Sequence, residues 1–445
     1  MKKILFSAFA FLISTSAFSQ WTTQSSAFAT PSRGIAALEV YNANTVWAFG
    51  VDGSGAGANV QEFTKTTNGG TTWTSGAINV GNPDLHIASI SGVDANTAWV
   101  ATFDNTDGLG TVFKTTNGGS TWVSQLTFTT AGESWMNYVH FFDANNGIAG
   151  GDPESGYFEI YTTSNGGTTW SRVPLANIPA PLTDEYGYNG GYYTVGDNIF
   201  FYTGKGRIIK STNKGLNWTV GLTTGTITDF GSATVNGKMA WSDANRGIVL
   251  RKTFNASGTP TAMTLHRTTN GGTSWSAVTY TGITMANRIS DITYVPGTNI
   301  LVATSDNGTS GGSWKSVDNG TTWTAIDNLV QHLGVRCYDA NTCYSGGFST
   351  SSTVGGMFKL TASLGTNETS TKIQSINIFP NPTTGEINIK TDKKIKSSTV
   401  LDMSGKSLMT TNSQKADISS LPKGVYMIKV DFADGSTSTE KIIKE

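Results

Sequence analysis

Aromatic rings and carboxylates crowd one part of the chain, and together they are the residue types that bind sugars. Trp135 comes first, followed by Asp184-Glu185-Tyr186-Gly187-Tyr188 and Tyr192-Tyr193. Ring faces stack on the C–H faces of a sugar, while carboxylates accept hydrogen bonds from its hydroxyls. A second chemistry is open to the same residue types. Cleavage of a glycosidic bond needs two carboxylates facing each other across a cleft, and Glu133, Asp184, Glu185, Asp229 and Asp291 could supply them. Nothing in their spacing pairs them, so no catalytic residue is assigned. Other chemistries lack their motifs: there is no His-Glu-x-x-His and no phosphate loop. Asp104-Asn105-Thr106-Asp107-Gly108 lacks the alternating spacing of a calcium loop. Neither a metal nor a cofactor is expected.

Composition restricts the partners. The 445 residues include 52 Gly and 11 Pro, with 37% hydrophobic and 14% charged, which describes a folded, turn-rich β protein. Thirty Lys and Arg against 31 Asp and Glu leave no positive excess to neutralise a phosphate backbone or an anionic bilayer, so nucleic acid is not an expected partner. Residues 1–19 combine a basic start, a short apolar stretch and Ala17-Phe18-Ser19, the parts of a cleavable export signal. No later stretch approaches the roughly 20 apolar residues of a spanning helix, so no transmembrane segment is expected. In an exported protein Cys337 and Cys343, framing a tight turn, are expected to form a disulfide across a hairpin. Closing so small a loop stabilises by about 2 kcal/mol.

The elements that must position these residues follow from a repeat. Its pattern is Ser/Thr-x-Asn/Asp-x-Gly-x-x-Trp. The copies carry Asn68 and Trp73, Asn117 and Trp122, Asn165 and Trp170, Asn213 and Trp218, Asn270 and Trp275, and Asp318 and Trp323, with tryptophan spacings of 49, 48, 48, 57 and 48. About 25 residues before each box stands a polar turn such as Asn42-Ala43-Asn44 or Asp94-Ala95-Asn96, whose residue types mark a hairpin. Seven turns accompany six boxes. The last unit has Met357-Phe358-Lys359-Leu360, matching Val112-Phe113-Lys114-Thr115, but no box follows it. Trp21-Thr22-Thr23-Gln24 carries the missing tryptophan, so the N-terminal strand is expected to complete the last unit and leave few exposed sheet edges.

These boxes resemble the Asp-box (BNR) propeller families, which include sialidases, sortilin-type receptors, xyloglucan hydrolases and the Ycf48-like assembly factors. The resemblance spans residues 20–362 and implies a seven-bladed, all-β propeller. The box Asn or Asp is expected to accept turn N–H bonds, the second glycine to take a left-handed backbone, and the tryptophan to pack between sheets. In those families the box lies opposite the ligand face, which makes the boxes structural. The basic residues before most boxes, Lys65, Lys114, Lys210, Arg267 and Lys315, are expected on a solvated outer face.

The resemblance also implies that each innermost strand starts at the ligand-facing mouth. Counting back from the hairpin turns then places His86, Trp135, Tyr188 and Arg288 there, with Asp184, Glu185 and Tyr186 beside them. The expected ligand is a glycan or a protein. The Arg-Ile-Pro motif that sialidases carry in the first blade is replaced by Ser32-Arg33-Gly34-Ile35, which argues against that activity. Three functions remain: a binding module, a glycoside hydrolase and an assembly factor.

A polar linker, residues 363–373, separates this body from residues 374–445. There Phe379-Pro380-Asn381-Pro382 with Gly385, Asp402-Met403-Ser404-Gly405-Lys406, and Leu421-Pro422-Lys423-Gly424-Val425-Tyr426 lie among short alternating strands. Together they resemble the type A sorting domain of the type IX secretion system. The resemblance implies a small Ig-like antiparallel sandwich, the secretion machinery as partner, and a secreted or outer-membrane-surface location.

Overall fold

The structure is a computed structural model that describes residues 20–130, 134–222, 227–364, 377–391, 394–402, 406–433 and 437–445. The expected export signal, Glu133 and residues 365–376 of the linker and its flank lie outside the described residues. The chain divides into two compact bodies, residues up to 365 and from 366 onward.

In the first body the strands pair in sequence order as antiparallel meanders of four. Unit one is Arg33–Val40, Val46–Asp52, Glu62–Thr66 and Thr74–Ala77. Unit two runs from His86–Gly92 to Val123–Thr127, unit three from Met136–Phe141 to Ser171–Arg172, and unit four from Tyr192–Val195 to Thr219–Leu222. Unit five runs from Val235–Trp241 to Ser276–Ala277, and unit six from Ile289–Tyr294 to Thr324–Asn328. Unit seven has Gly334–Asp339, Thr342–Ser351 and Val354–Leu360. Its fourth strand is Trp21–Ser25, in the register Trp21 to Leu360 and Gln24 to Met357. Cys337 and Cys343 oppose each other in the register of this unit and are disulfide-bonded.

Each box is a hydrogen-bonded clasp. The Thr66 hydroxyl accepts from the Gly70 amide at 2.9 Å, and Asn68 Oδ1 accepts from the Thr72 amide at 3.0 Å. Gly70 is left-handed at φ 82. The same bonds recur at Thr115, Thr163, Ser211, Thr268 and Ser316. The box also binds its unit's first turn, since the Gly69 amide donates to Asn44 O and that of Gly118 to Asn96 O. This bond explains why turn and box keep a constant separation. Trp73, Trp122, Trp218 and Trp323 are buried, and Trp170 and Trp275 are partly so.

Lys65, Lys114 and Lys210, among the basic residues before the boxes, are not a solvated face. Lys65 Nζ donates to Ala95 O at 2.6 Å and to Gly118 O at 2.9 Å, both in the next unit, and lies over the Trp47 ring. Lys114 reaches Gly166 O, Lys210 reaches Gly271 O, and Lys359 reaches Gly69 O. Burial lowers the pKa of Lys65, Lys114 and Lys210. The acceptor is a left-handed glycine each time, and a Cβ on Gly118 would stand 2.6 Å from the Lys65 ammonium. Units four and six have Lys214 and Asn319 at that box position, and the units before them present Thr162 and Arg267 instead of lysine.

First strands of successive units lie against one another, as in units one and two, five and six, and seven and one. Units three and four share a core through Tyr138, stacked on Tyr192 at 4.9 Å. Side chains fill the centre. Tyr193 of unit four is hydrogen-bonded to Thr293 of unit six at 2.9 Å, and Arg336 lies over its ring while donating to Asp291. A cavity of about 110 Å³ remains, lined by Glu39, Ser89, Tyr192, Tyr193 and Arg336 among others. Loss of solvation pushes the Glu39 carboxyl up to about 7, with Arg336 opposing it. It also pushes His140, whose Nδ1 is 3.7 Å from Glu39, down to about 3.

The second body has two antiparallel sheets. One joins Asn377–Phe379, Glu386–Lys390 and Lys415–Asp417; the other joins Ser407–Thr411, Ile395–Leu401, Gly424–Phe432 and Thr437–Lys444. Ile387, Val400, Ile428 and Ile442 form part of their common core. Asn381 ties the Pro380–Pro382 segment to the last strand: its Nδ2 donates to Lys441 O and its Oδ1 accepts from the Ile443 amide. The Tyr426 hydroxyl donates to Pro422 O, and a side chain on Gly385 would crowd Ser419.

Candidate functional site

First strands begin and second strands end at the same edge of each unit, opposite the boxes, as the pairing of His86 with Phe103 and of Met136 with Gly151 shows. At this edge His86 stacks on Phe103 at 5.4 Å, its Nε2 standing 2.7 Å from Asn105 Nδ2. Phe103 packs in turn against Trp135 at 6.4 Å. Trp135 is half-buried, and the left-handed Gly108 lies so close to its indole that a side chain there would collide with it.

Asp152, at the edge end of the second strand of unit three, connects Trp135 to the tyrosines. Its amide donates to Trp135 O at 3.0 Å. Its Oδ1 accepts from Asn137 Nδ2 and from the Gly187 amide, each at 2.7 Å. Gly187 is flanked by Tyr186 and Tyr188, so Asp152 joins the backbone of Trp135 to that of the tyrosine turn. Oδ2 accepts no hydrogen bond from the described residues and is not sealed from solvent. Burial pushes this carboxyl up to about 6, against the lowering effect of its two donors.

The loop that carries the tyrosines, residues 174–191, is held from beneath. Glu185, expected as a hydroxyl acceptor for a ligand, is instead buried and spent on this task. Its Oε2 accepts from Arg207 at 2.8 Å and from the Leu182 amide at 2.7 Å, and its Oε1 from Thr203 at 2.6 Å. Buried, ion-paired and already accepting three hydrogen bonds, this carboxylate is not presented to a sugar. Asp184 beside it is exposed and left-handed, at φ 54. Tyr186 is 44% exposed and meets Tyr188 edge-to-face at 5.4 Å. The Tyr188 hydroxyl donates to Asp229 Oδ1 at 2.7 Å, which occupies one oxygen of that carboxylate. Asp291 is likewise taken, accepting from Arg336 and from the Val335 amide at 2.9 Å each.

His86, Trp135, Tyr186 and Tyr188 thus form one connected set. Arg288 stands apart from it, exposed, at the start of unit six. Asp152 escapes a count made along first strands alone, and such a count passes over Asn137, two residues past Trp135 on the first strand of unit three. The available signal was the Gly150-Gly151-Asp152-Pro153 sequence closing a second strand, which no other unit repeats. Among the described residues no cluster of His, Cys, Asp and Glu is arranged to hold a metal ion, and no helix is long and apolar enough to cross a membrane.

Residues 377–445 match the family of secretion system C-terminal sorting domains. No curated protein matches the chain. Among solved structures the chain resembles YCF48 bound to a D1 peptide, at 12% identity over 78% of this chain and 98% of that one, with a TM-score of 0.51. YCF48 from Cyanidioschyzon merolae gives 13% identity, 77% and 98% coverage and a TM-score of 0.50. The GH74 xyloglucanase from Xanthomonas campestris gives 11%, with 92% of this chain and 59% of that one covered, and a TM-score of 0.50. Such identities establish the fold alone. The chain is a nearly all-β protein with a propeller body and a C-terminal type IX sorting domain, exported to the cell surface or beyond.

Proposed function

We propose that the chain is an exported binding module: a seven-bladed propeller over residues 20–362 that holds a glycan at the edge opposite its boxes. Residues 1–19 act as the export signal, and an Ig-like sandwich over residues 374–445 engages the secretion machinery through its Pro380–Pro382, Gly385, Gly424 and Tyr426 segments. The observation that carries the ligand reading is Asp152, fixed between Trp135 and the Tyr186-Gly187-Tyr188 turn with one carboxylate oxygen unoccupied among the described residues. A sugar ring stacked on Trp135 or Tyr186 would present its hydroxyls to that oxygen, with Asp184 as a further acceptor.

A glycan array probed with the secreted protein and with Trp135→Ala tests this. Retention by the parent and its loss in the variant, with unchanged melting, is the expected result; equal retention by both removes the site. Hydrolysis is the second reading, favoured by an Asp152 carboxyl held near 6 and so part-protonated near neutral pH. Release of reducing ends from a retained polysaccharide would make the protein an enzyme. Retention without release leaves it a binder. The assembly-factor reading rests on likeness to YCF48, one structure of which holds a D1 peptide. Co-purification of a protein client would favour it.

A further inference from the structure

We infer that a cationic recess at the same edge, between units five and six, binds the anionic group of an acidic glycan, with Lys252, Lys238 and Arg288 as its contacts. This rests on the glycan reading above and names the class of glycan.

Lys252 lies on the second strand of unit five, opposite Asn236 of the first. Lys238, two residues beyond Asn236, therefore projects from the same face as Lys252 as its diagonal neighbour. Arg288 ends the short turn Met285–Asn287 and leads into the first strand of unit six, which lies against the first strand of unit five. Its backbone is left-handed, at φ 51. Three cations from three elements thus meet where two units abut, and the carboxylate acting on Lys252 is that of Asp306. The charges acting on Lys252 are two positive and one negative.

Lys252 is the unusual member. Only 9% of it is exposed, yet it forms no ion pair or hydrogen bond with any described residue, and its nearest aromatic ring is Phe254 at 5.8 Å. Arg207, Arg172 and Arg336, by contrast, are paired, with Glu185, Glu154 and Asp291. Burial, reinforced by repulsion from Lys238 and Arg288, lowers the Lys252 pKa. Its stem is buried while Nζ is not sealed from solvent, so an anion entering the recess meets the ammonium directly and offsets its repulsion from Lys238 and Arg288. A carboxylate or a sulfate has the required charge and acceptor oxygens. On a polysaccharide either would stand beside hydroxyls of the kind the Trp135 site is built to hold.

Electrophoresis of the secreted protein through gels containing polygalacturonate, dextran sulfate or plain dextran tests the recess. The expected result is retardation by at least one acidic polymer, weakened about tenfold in Lys252→Met and in Lys238→Met and unchanged in Arg246→Gln, which removes a charge on the box side. Polygalacturonate alone assigns a carboxylate, and dextran sulfate alone a sulfate. Lys238 is half-buried, so its variant keeps the test open should Lys252→Met melt early. No retardation by either acid overturns the inference, as does an equal loss in Arg246→Gln. Neutral glycans retained through Trp135, with no acid bound, remove the recess and spare the glycan reading. Acid retention that survives Trp135→Ala keeps the recess and removes the aromatic site.

Discussion

Lys359 Nζ stands 2.6 Å from the carbonyl oxygen of Gly69, so the last unit holds the box of the first across 290 residues of sequence. The same bond repeats between other neighbours, which makes it a property of the repeat and not of the closure. Lys359→Met should lower stability by about 1–2 kcal/mol through a lost charge-assisted hydrogen bond, read as a lower melting temperature. Lys315, with no acceptor among the described residues, should change it by less than about 0.5 kcal/mol when replaced by Met. Equal effects would show that the bond contributes nothing.

Two tryptophans should separate binding from stability. Trp122, buried beside Phe63 between units one and two, should cost about 3–5 kcal/mol when cut to Ala. Trp135→Ala should cost less and abolish glycan retention. Chemical denaturation and array binding of the two variants, measured side by side, decide this.

Asp152 should make retention pH-dependent. With its carboxyl near 6, the acceptor is ionised above that pH and protonated below it, so retention should fall between pH 7 and 5. Asp152→Asn should bind weakly and lose the pH dependence. A parent with a flat profile would show that this carboxylate does not meet the ligand.

Glu39 should shape stability in the opposite direction to a paired carboxylate. Its folded pKa, about 7, lies above the ordinary 4.5, so the stability linked to it is fully present below about 4.5 and lost as pH rises to 7. Glu39→Gln should therefore raise stability at pH 8, by at most about 3 kcal/mol, and leave it unchanged near pH 4. Buried His140 works against this slope, since its folded pKa is depressed to about 3 and its contribution is lost as pH falls below 6.5. Melting curves of parent and variant from pH 4 to 8 isolate the Glu39 part.

Deleting residues 377–445 should leave the propeller folded and stop its export, with the truncated protein found in the periplasm by fractionation. Efficient surface delivery of the truncation would contradict the sorting role.

The repeat made much of the fold legible because box and turn are local: Asn68 and Thr72 lie four residues apart, and their bond needs no distant partner. The Trp21 strand was readable for a related reason, as a tryptophan displaced from its repeat. Lys65 was legible as a position and not as a contact. Periodicity says that a lysine recurs, but not that its flexible stem bends toward Gly118 of the next unit. Glu185 misled because its composition matches a ligand acceptor, while its partner Arg207 lies 22 residues on in a pairing no local pattern announces. Asp152 is unique in the chain, and a reading built on repetition passes over what is not repeated.

The lysine–glycine bond makes the units unequal as building blocks. Excising unit two would bring Lys65 against Gly166, a glycine that already receives a lysine, and the joint would re-form. Excising unit four would set Thr162 against Gly271, leaving a carbonyl without its donor. Copying unit four in tandem would drive Lys210 onto the side chain of Lys214, where neighbouring boxes keep a glycine. Growth or shrinkage of this ring by whole units is therefore permitted at some seams and penalised at others, set jointly by the residue before one box and the fourth residue of the next.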